Sequence, residues 1–356
     1  MKRVIILGLM IVIVVLAMYT ILQDDGEFIE DGEIANEIER EKEYELSDYY
    51  PFLEDTLLVY QGEGNEFAAQ DVYFDFVVDE LAQVRVSNPG ATMGRIIMIE
   101  GGELRSADVA KESHYLEDLT DQEITEYDVL LKEPLETGTS WTLADGKERY
   151  ISGIDVEIET PSGEYQAIEV TTELENAIQF DYYVAGVGHV KRNYQTDDFS
   201  VKTILEEIKE DTSITYPIKF FYPDFINEKI KYVTREVEFS TNDDLTEIFA
   251  EHLRQAPDEN LTQLISDDTE INQIELDREE EIVKVDFSQE LVTEMNVGHL
   301  LETKIIQSIV NIFGGHYNVD KVYLSLEGRP YESGHMMLSE DEYFTVDYEA
   351  IEEYQK

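Results

Sequence analysis

From Tyr49 to about Glu210 apolar side chains alternate with polar ones, as in Val72-Tyr73-Phe74-Asp75-Phe76-Val77 and Ile154-Asp155-Val156-Glu157-Ile158. A period of two places neighbours on opposite faces of an extended chain, so this stretch buries one face only as strands. Asn88-Pro89-Gly90, Glu100-Gly101-Gly102, Asp145-Gly146 and Pro161-Ser162-Gly163 punctuate the runs, the last as a hairpin turn. The expectation is an antiparallel sheet, curled or sandwiched on itself. Trp141, after Gly138-Thr139-Ser140, reads as a core or sheet-face residue, with ligand stacking as the alternative. In Tyr182-Tyr183-Val184-Ala185-Gly186-Val187-Gly188-His189-Val190-Lys191-Arg192 the glycines are expected to supply a bulge or a turn with positive φ. His189, with no second His nearby in sequence, reads as a strand-end surface residue, with a ligand role as the alternative.

Charge sets the next bound. Of 356 residues, 80 are Asp or Glu and 26 are Lys or Arg, a net charge of -54. Little on such a chain could neutralise a run of phosphates, so nucleic acid is not expected as a partner. The carboxylates are spread along the chain, and their mutual repulsion predicts a protein adapted to salt, which screens it. A calcium-binding role is the rival, but no D-x-[DN]-x-[DN]-G loop with a distal Glu occurs. Cys is absent, which removes disulfides, thiolate chemistry, Cys-based zinc sites and anchoring through a lipidated Cys. Apolar residues make up 42%, with 22 Tyr and 15 Phe, enough for cores in about two domains.

After Lys2 and Arg3, the stretch from Val4 to Leu22 is uncharged and nearly all aliphatic. As a helix its nineteen residues span roughly 28 Å at about 1.5 Å each, close to a bilayer's hydrocarbon thickness. Basic residues before it and Asp24, Asp25 and Glu27 after it place the N-terminus in the cytoplasm and the bulk outside, so residues 4–22 are expected to meet the cytoplasmic membrane. The alternative is a signal peptide cleaved near Val15-Leu16-Ala17, which secretes the rest. Residues 23–48 read as an acidic linker.

The pattern changes from about Ser213. Ile218 to Pro223 and Ile230 to Phe239 read as strands, and Leu245, Ile248, Phe249 and Leu253 fall on one face of a helix capped by Thr241, Asn242 or Asp243. Leu261 to Ile265, Ile271 to Leu276 and Ile282 to Phe287 read as extended. A second helix runs from about Val297 to Phe313, ended by Gly314-Gly315, before a last strand from Val319 to Leu326.

Phe221-Tyr222-Pro223-Asp224, Thr234-Arg235, Val285-Asp286-Phe287-Ser288, Ser308-Ile309-Val310, Gly328-Arg329-Pro330 and Gly334-His335-Met336-Met337-Leu338-Ser339-Glu340 follow in that order. This ordered set resembles the GerMN-domain family of sporulation and spore germination proteins, over roughly a third of the chain. The resemblance implies an extracytoplasmic module of membrane-anchored envelope proteins in spore-forming Gram-positive bacteria, related to modules that build rings in large complexes. It carries over no catalytic residue. Two departures stand out: the absence of Cys, where such proteins are often lipoproteins, and a single copy of the domain in place of two. The segment before it is similar to β-rich extracytoplasmic domains of envelope lipoproteins, through Gly138-Thr139-Ser140-Trp141, Pro161-Ser162-Gly163 and Gly186 to Arg192.

The expected fold class is therefore α+β: a transmembrane helix at 1–22, an acidic linker at 23–48, an antiparallel β-rich domain at 49–210, a two-layer α/β domain at 213–345 with two helices packed on one sheet face, and an acidic tail at 346–356. No G-x-S-x-G, H-E-x-x-H or G-x-x-x-x-G-K-[ST] occurs. Gly314-Gly315-His316 and Ser333-Gly334-His335 are conceivable converging metal ligands, but glycines bending the backbone explain both. Ser288, beside Phe287, reads as a turn former or N-cap rather than a nucleophile, and the sequon Asn260-Leu261-Thr262 as inert. No catalytic, cofactor or metal residue is assigned. The expected function is protein association in the cell envelope, with self or an envelope protein as partner. The alternatives are ligand binding inside the β-rich domain and a wall-directed hydrolase.

Overall fold

Residues 57–209 form two runs of up-and-down strands. The first comprises β1 (Leu57–Glu63), β2 (Gln70–Val78), β3 (Leu81–Ser87), β4 (Thr92–Glu100), β5 (Glu103–Ala110) and β6 (Asp128–Lys132). The second comprises β7 (Ser140–Thr142), β8 (Glu148–Thr160), β9 (Gly163–Leu174), β10 (Ala177–Val184), β11 (Gly188–Gln195) and β12 (Ser200–Lys209). Antiparallel pairing of β1 with β12 joins both runs into one twelve-stranded sheet whose edges are β6 and β7. These edges meet. Trp141 Nε1 donates to the Val129 carbonyl of β6 at 3.0 Å, and Arg149 Nη1 donates to the same carbonyl at 2.7 Å. The sheet is thus nearly closed into a barrel, bent by bulges such as those at Phe74/Phe76 in β2 and Ile151/Val156 in β8.

This computed structural model describes residues 44–110 and 115–355. The expected membrane segment 4–22 and most of the linker lie outside them, and among the described residues no helix is long and apolar enough to cross a membrane. Helix α1 (Leu46–Tyr49) packs Leu46 and Tyr49 into the barrel core. That core is filled by alternate strand residues, among them Leu58, Phe74, Val84, Ile97, Ile151, Val170 and Tyr183. Trp141 belongs to it. Gly186 and Gly188 turn β10 into β11 at φ of 79° and 101°.

From Ile214 the chain builds two smaller sheets. Strands β13 (Ile214–Asp224) and β14 (Lys229–Phe239) form a hairpin. After helix α2 (Leu245–Arg254), β15 (Ile271–Asp277) and β16 (Ile282–Phe287) pair antiparallel. The short α3 (Glu290–Thr293) and the long α4 (His299–Tyr317) lead to β17 (Lys321–Leu326), which lies parallel to β16 and pairs with β18 (Arg329–Pro330). The last segment then spans both sheets: β19 (Phe344–Thr345) pairs with β17, and β20 (Glu352–Glu353) runs parallel to β14. Between them the buried Asn311 side chain donates to the Asp347 carbonyl at 2.7 Å and accepts from its N–H at 2.9 Å, so residues 344–354 act as a strap.

The expected α+β class with two helices on one sheet face is overturned. The described residues are mostly β, 48% strand and 13% helix, dominated by the near-closed barrel-like sheet. The helices share no single face: α4 touches β13 on one side and β16, β17 and β19 on another, while α2 packs on β15. The reason lies in α4 itself. Ile305, Ile306, Ser308, Ile309, Val310, Asn311, Ile312 and Phe313 are all buried, more than one apolar stripe, so the helix is enclosed rather than laid on a surface.

Two local expectations also give way. Asp244 caps α2, accepting from Thr246 N–H at 2.9 Å, because Thr241 and Asn242 are engaged with the barrel: Thr241 donates to the Phe74 carbonyl at 2.7 Å and Asn242 Oδ1 accepts from Val77 N–H at 2.8 Å. Gly314 and Gly315 do not end α4. The helix continues to Tyr317 and ends at Asn318 with φ 54°. The glycines admit the strap: a Cβ on Gly314 would sit 2.3 Å from Val346 Cγ1.

Candidate functional site

At one end of the part built from Ile214 onward, two turns and the start of α4 hold large apolar side chains out in solvent. In the β13–β14 hairpin, Asp224 Oδ1 accepts from the N–H groups of Ile226 and Asn227, both at 3.0 Å, and Asn227 Nδ2 donates to Asp224 Oδ2 at 2.7 Å. This Asx-type turn leaves Phe225 and Ile226 outside, 55% and 62% exposed. Lys304 on α4 donates to the Glu228 carbonyl, which ties the helix to the hairpin tip. Leu300, one turn earlier on the same face as Lys304, is 63% exposed. In the loop after β18, Ser333 Oγ accepts from His335 and Met336 N–H at 3.1 and 3.0 Å, and Met337 is left 73% exposed.

Beneath this surface lies a buried carboxylate. Glu302, in the first turn of α4 where the helix dipole favours an acid, accepts from Tyr331 OH at 3.0 Å and from Ser333 Oγ. Its other oxygen is 3.9 Å from His335 Nε2, and the His335 and His299 rings are 5.7 Å apart. Burial, and after it Glu302, push the Tyr331 hydroxyl up, so it remains a donor. A small hollow of about 110 Å³ opens here, floored by Val292, Met295 and Val297. The arrangement has the parts of an interface: apolar groups at the rim and a satisfied polar network that fixes the loop carrying them.

The residues singled out in the sequence fall elsewhere or serve as scaffolding. His316 and His335 do not converge, since His335 lies by Glu302 in the first turn of α4 and His316 in its last, roughly 20 Å away at about 1.5 Å per residue. Among the described residues no group of three or more His, Asp or Glu side chains is arranged to hold a metal ion. His189 is not a surface residue: it is largely enclosed and its Nε2 is 3.0 Å from Asp181, which also accepts from Arg192 at 2.7 Å. Burial lowers the His189 pKa. Ser288 Oγ accepts from Glu270 N–H at 3.0 Å, which joins the end of β16 to the start of β15, and Asp286 accepts from Ser325 Oγ at 2.5 Å and Gly328 N–H at 2.8 Å, which braces the turn after β17. Asn260 donates to Asp258 at 2.8 Å. The apolar rim was missed because Phe225, Leu300 and Met337 look like core residues in a linear pattern. Only the Asx motif of Asp224 and Asn227 signalled a tip.

Residues 219–332 match the family Germane, described as sporulation and spore germination. Among solved structures the chain is similar to the first GerMN domain of the sporulation protein GerM from Bacillus subtilis, at 18% identity over 37% of this chain and 97% of that one, TM-score 0.28. It is also similar to a protein described as exported, with a YmcC-like fold, from Bacteroides fragilis, at 9% identity over 46% of this chain and 99% of that one, TM-score 0.31. A third, described as a lipoprotein, comes from Parabacteroides distasonis, at 14% identity over 45% of this chain and 98% of that one, TM-score 0.26. No curated protein matches.

Proposed function

We propose, from a carboxy-terminal domain at 219–332 that belongs to the Germane family of sporulation and spore germination, that this chain is a non-catalytic envelope protein working by protein association. Residues 4–22 hold it in the cytoplasmic membrane and its bulk lies outside, where the family's description fits a role in sporulation or germination. One observation carries the association: Phe225, Ile226, Leu300 and Met337 stand out in solvent at one end of the domain, on a surface otherwise crowded with carboxylates. Exposed apolar groups gathered at one place mark sites of contact. Confinement to a membrane plane raises the effective concentration of such ends.

The test is light scattering on the detergent-solubilised full chain at high salt, with crosslinking and pull-down from native membranes. Oligomers or a captured envelope protein are expected, and Ile226→Asp with Leu300→Asp should abolish them while leaving the melting transition in place. A strict monomer that captures nothing, or an assembly indifferent to both substitutions, overturns the reading. Ligand binding inside the barrel gains no support, because that interior is packed with side chains.

A further inference from the structure

A second place on the domain has the form of a ligand site. Between the β13–β14 hairpin, the end of α4 and the strap lies a cleft of about 520 Å³, within the usual range for small-molecule pockets. Its aromatic walls come from three separate segments: Tyr216 and Phe221 from β13, Tyr232 from β14 and Tyr348 from the strap. The Phe221 ring centroid is 6.0 Å from that of Tyr232 and 5.6 Å from that of Tyr348. Gly315 keeps the helix side open, for a Cβ there would meet the Tyr348 hydroxyl at 3.0 Å.

The charge of the cleft is unlike that of the chain. Among its lining residues Asp320 is the one acid, and Lys219 holds its ammonium 5.0 Å from the Tyr232 ring centroid. Lys219 has no carboxylate partner among the described residues, in a chain where acids outnumber bases three to one. A ring, aromatic or a sugar's C–H face, gains by lying against tyrosine faces, and a carboxylate beside it gains by pairing with a lysine that is not already neutralised.

We propose that this cleft binds a small molecule made of one ring and one carboxylate, the ring against Tyr232 and Tyr348 and the carboxylate on Lys219. An aromatic acid and a sugar acid share that chemistry, and two probes separate them: indole-3-acetate and N-acetylmuramic acid, each titrated calorimetrically into the full-length chain. Saturable binding of at least one is expected. Lys219→Glu should weaken it about tenfold or more, the effect of losing one charge-assisted bond, while Lys219→Arg should retain most of it. Lys229→Glu, at another exposed lysine outside the cleft, should leave it unchanged. The idea fails if neither probe binds saturably, if Lys219→Glu has no effect while keeping the native melting transition, or if Lys229→Glu weakens binding as much. Should Lys219→Glu not fold, Lys219→Gln answers the same question. None of these outcomes bears on association at the other end of the domain.

Discussion

Arg85 and Asp75 face each other in a buried ion pair, Nε donating to Oδ1 at 3.1 Å with Nη2 3.0 Å from Oδ2, where the barrel meets the smaller sheets. The β2 bulge at Phe74/Phe76 lies at this residue, and Arg85 also donates to the Tyr216 hydroxyl of β13. Phe76 and Leu116 from the barrel side join the core that the smaller sheets and helices build. From Tyr44 onward the chain is accordingly one compact unit.

Arg85→Met leaves the Asp75 carboxylate buried without its partner. It should destabilise the protein by about 3–5 kcal/mol, whereas Asp75→Leu combined with Arg85→Met should recover much of the loss, because the double variant removes both buried charges. Urea midpoints of the two single variants and the double variant test this. Equal losses for Arg85→Met alone and for the pair would refute it.

His316 carries a pH dependence. Burial drives it down to about 4, so the folded protein holds it neutral while the unfolded chain protonates below about 6.5. A lowered His pKa means the unfolded state binds the extra proton. Stability should therefore fall as pH drops from about 6.5 to about 4, by on the order of 3 kcal/mol from this group. His316→Gln should flatten that part of the profile, read as the difference in midpoint between the two ends of the window. An unchanged slope would show that other groups carry it.

The two helix glycines should respond differently to a methyl group. Gly314→Ala brings Cβ to 2.3 Å from Val346 Cγ1 and 2.8 Å from the Val319 carbonyl, so the strap or the helix end must move. A loss of about 1–3 kcal/mol is expected, exceeding the helix-propensity gain of about 1 kcal/mol. Gly315→Ala meets a hydroxyl at the far end of Tyr348 at 3.0 Å, and that ring can yield. Its melting temperature should stay near that of the parent. Reversed ranks would contradict the strap's placement.

With a net charge of -54, the folded chain repels itself over its whole surface. Raising NaCl from about 0.1 M to about 1 M shortens the screening length from about 10 Å to about 3 Å, and the unfolding midpoint should rise with it. A midpoint independent of salt would count against an adaptation to saline surroundings.

What the sequence determined by itself was local or global in kind: strands where apolar residues alternate, a helix around Leu245 to Leu253 and another from about Val297 where they recur at three and four, though not its end at Tyr317, and a strongly acidic net charge. The family resemblance was legible for a related reason, since Asp224 and Asp286 brace turns and Ser288 ties the end of β16 to the start of β15, which fixes their places along paired strands. Tertiary structure decided the rest. Nothing in a linear pattern tells that Trp141 and Arg149 close a sheet on Val129, that Asn311 holds a strap through Asp347, or that Leu300 faces water while Ile305 is enclosed. Periodicity reports which face of an element is apolar. Which neighbour covers that face, and which is left for another molecule, depends on contacts between residues far apart in the chain, and those exist only once it has folded.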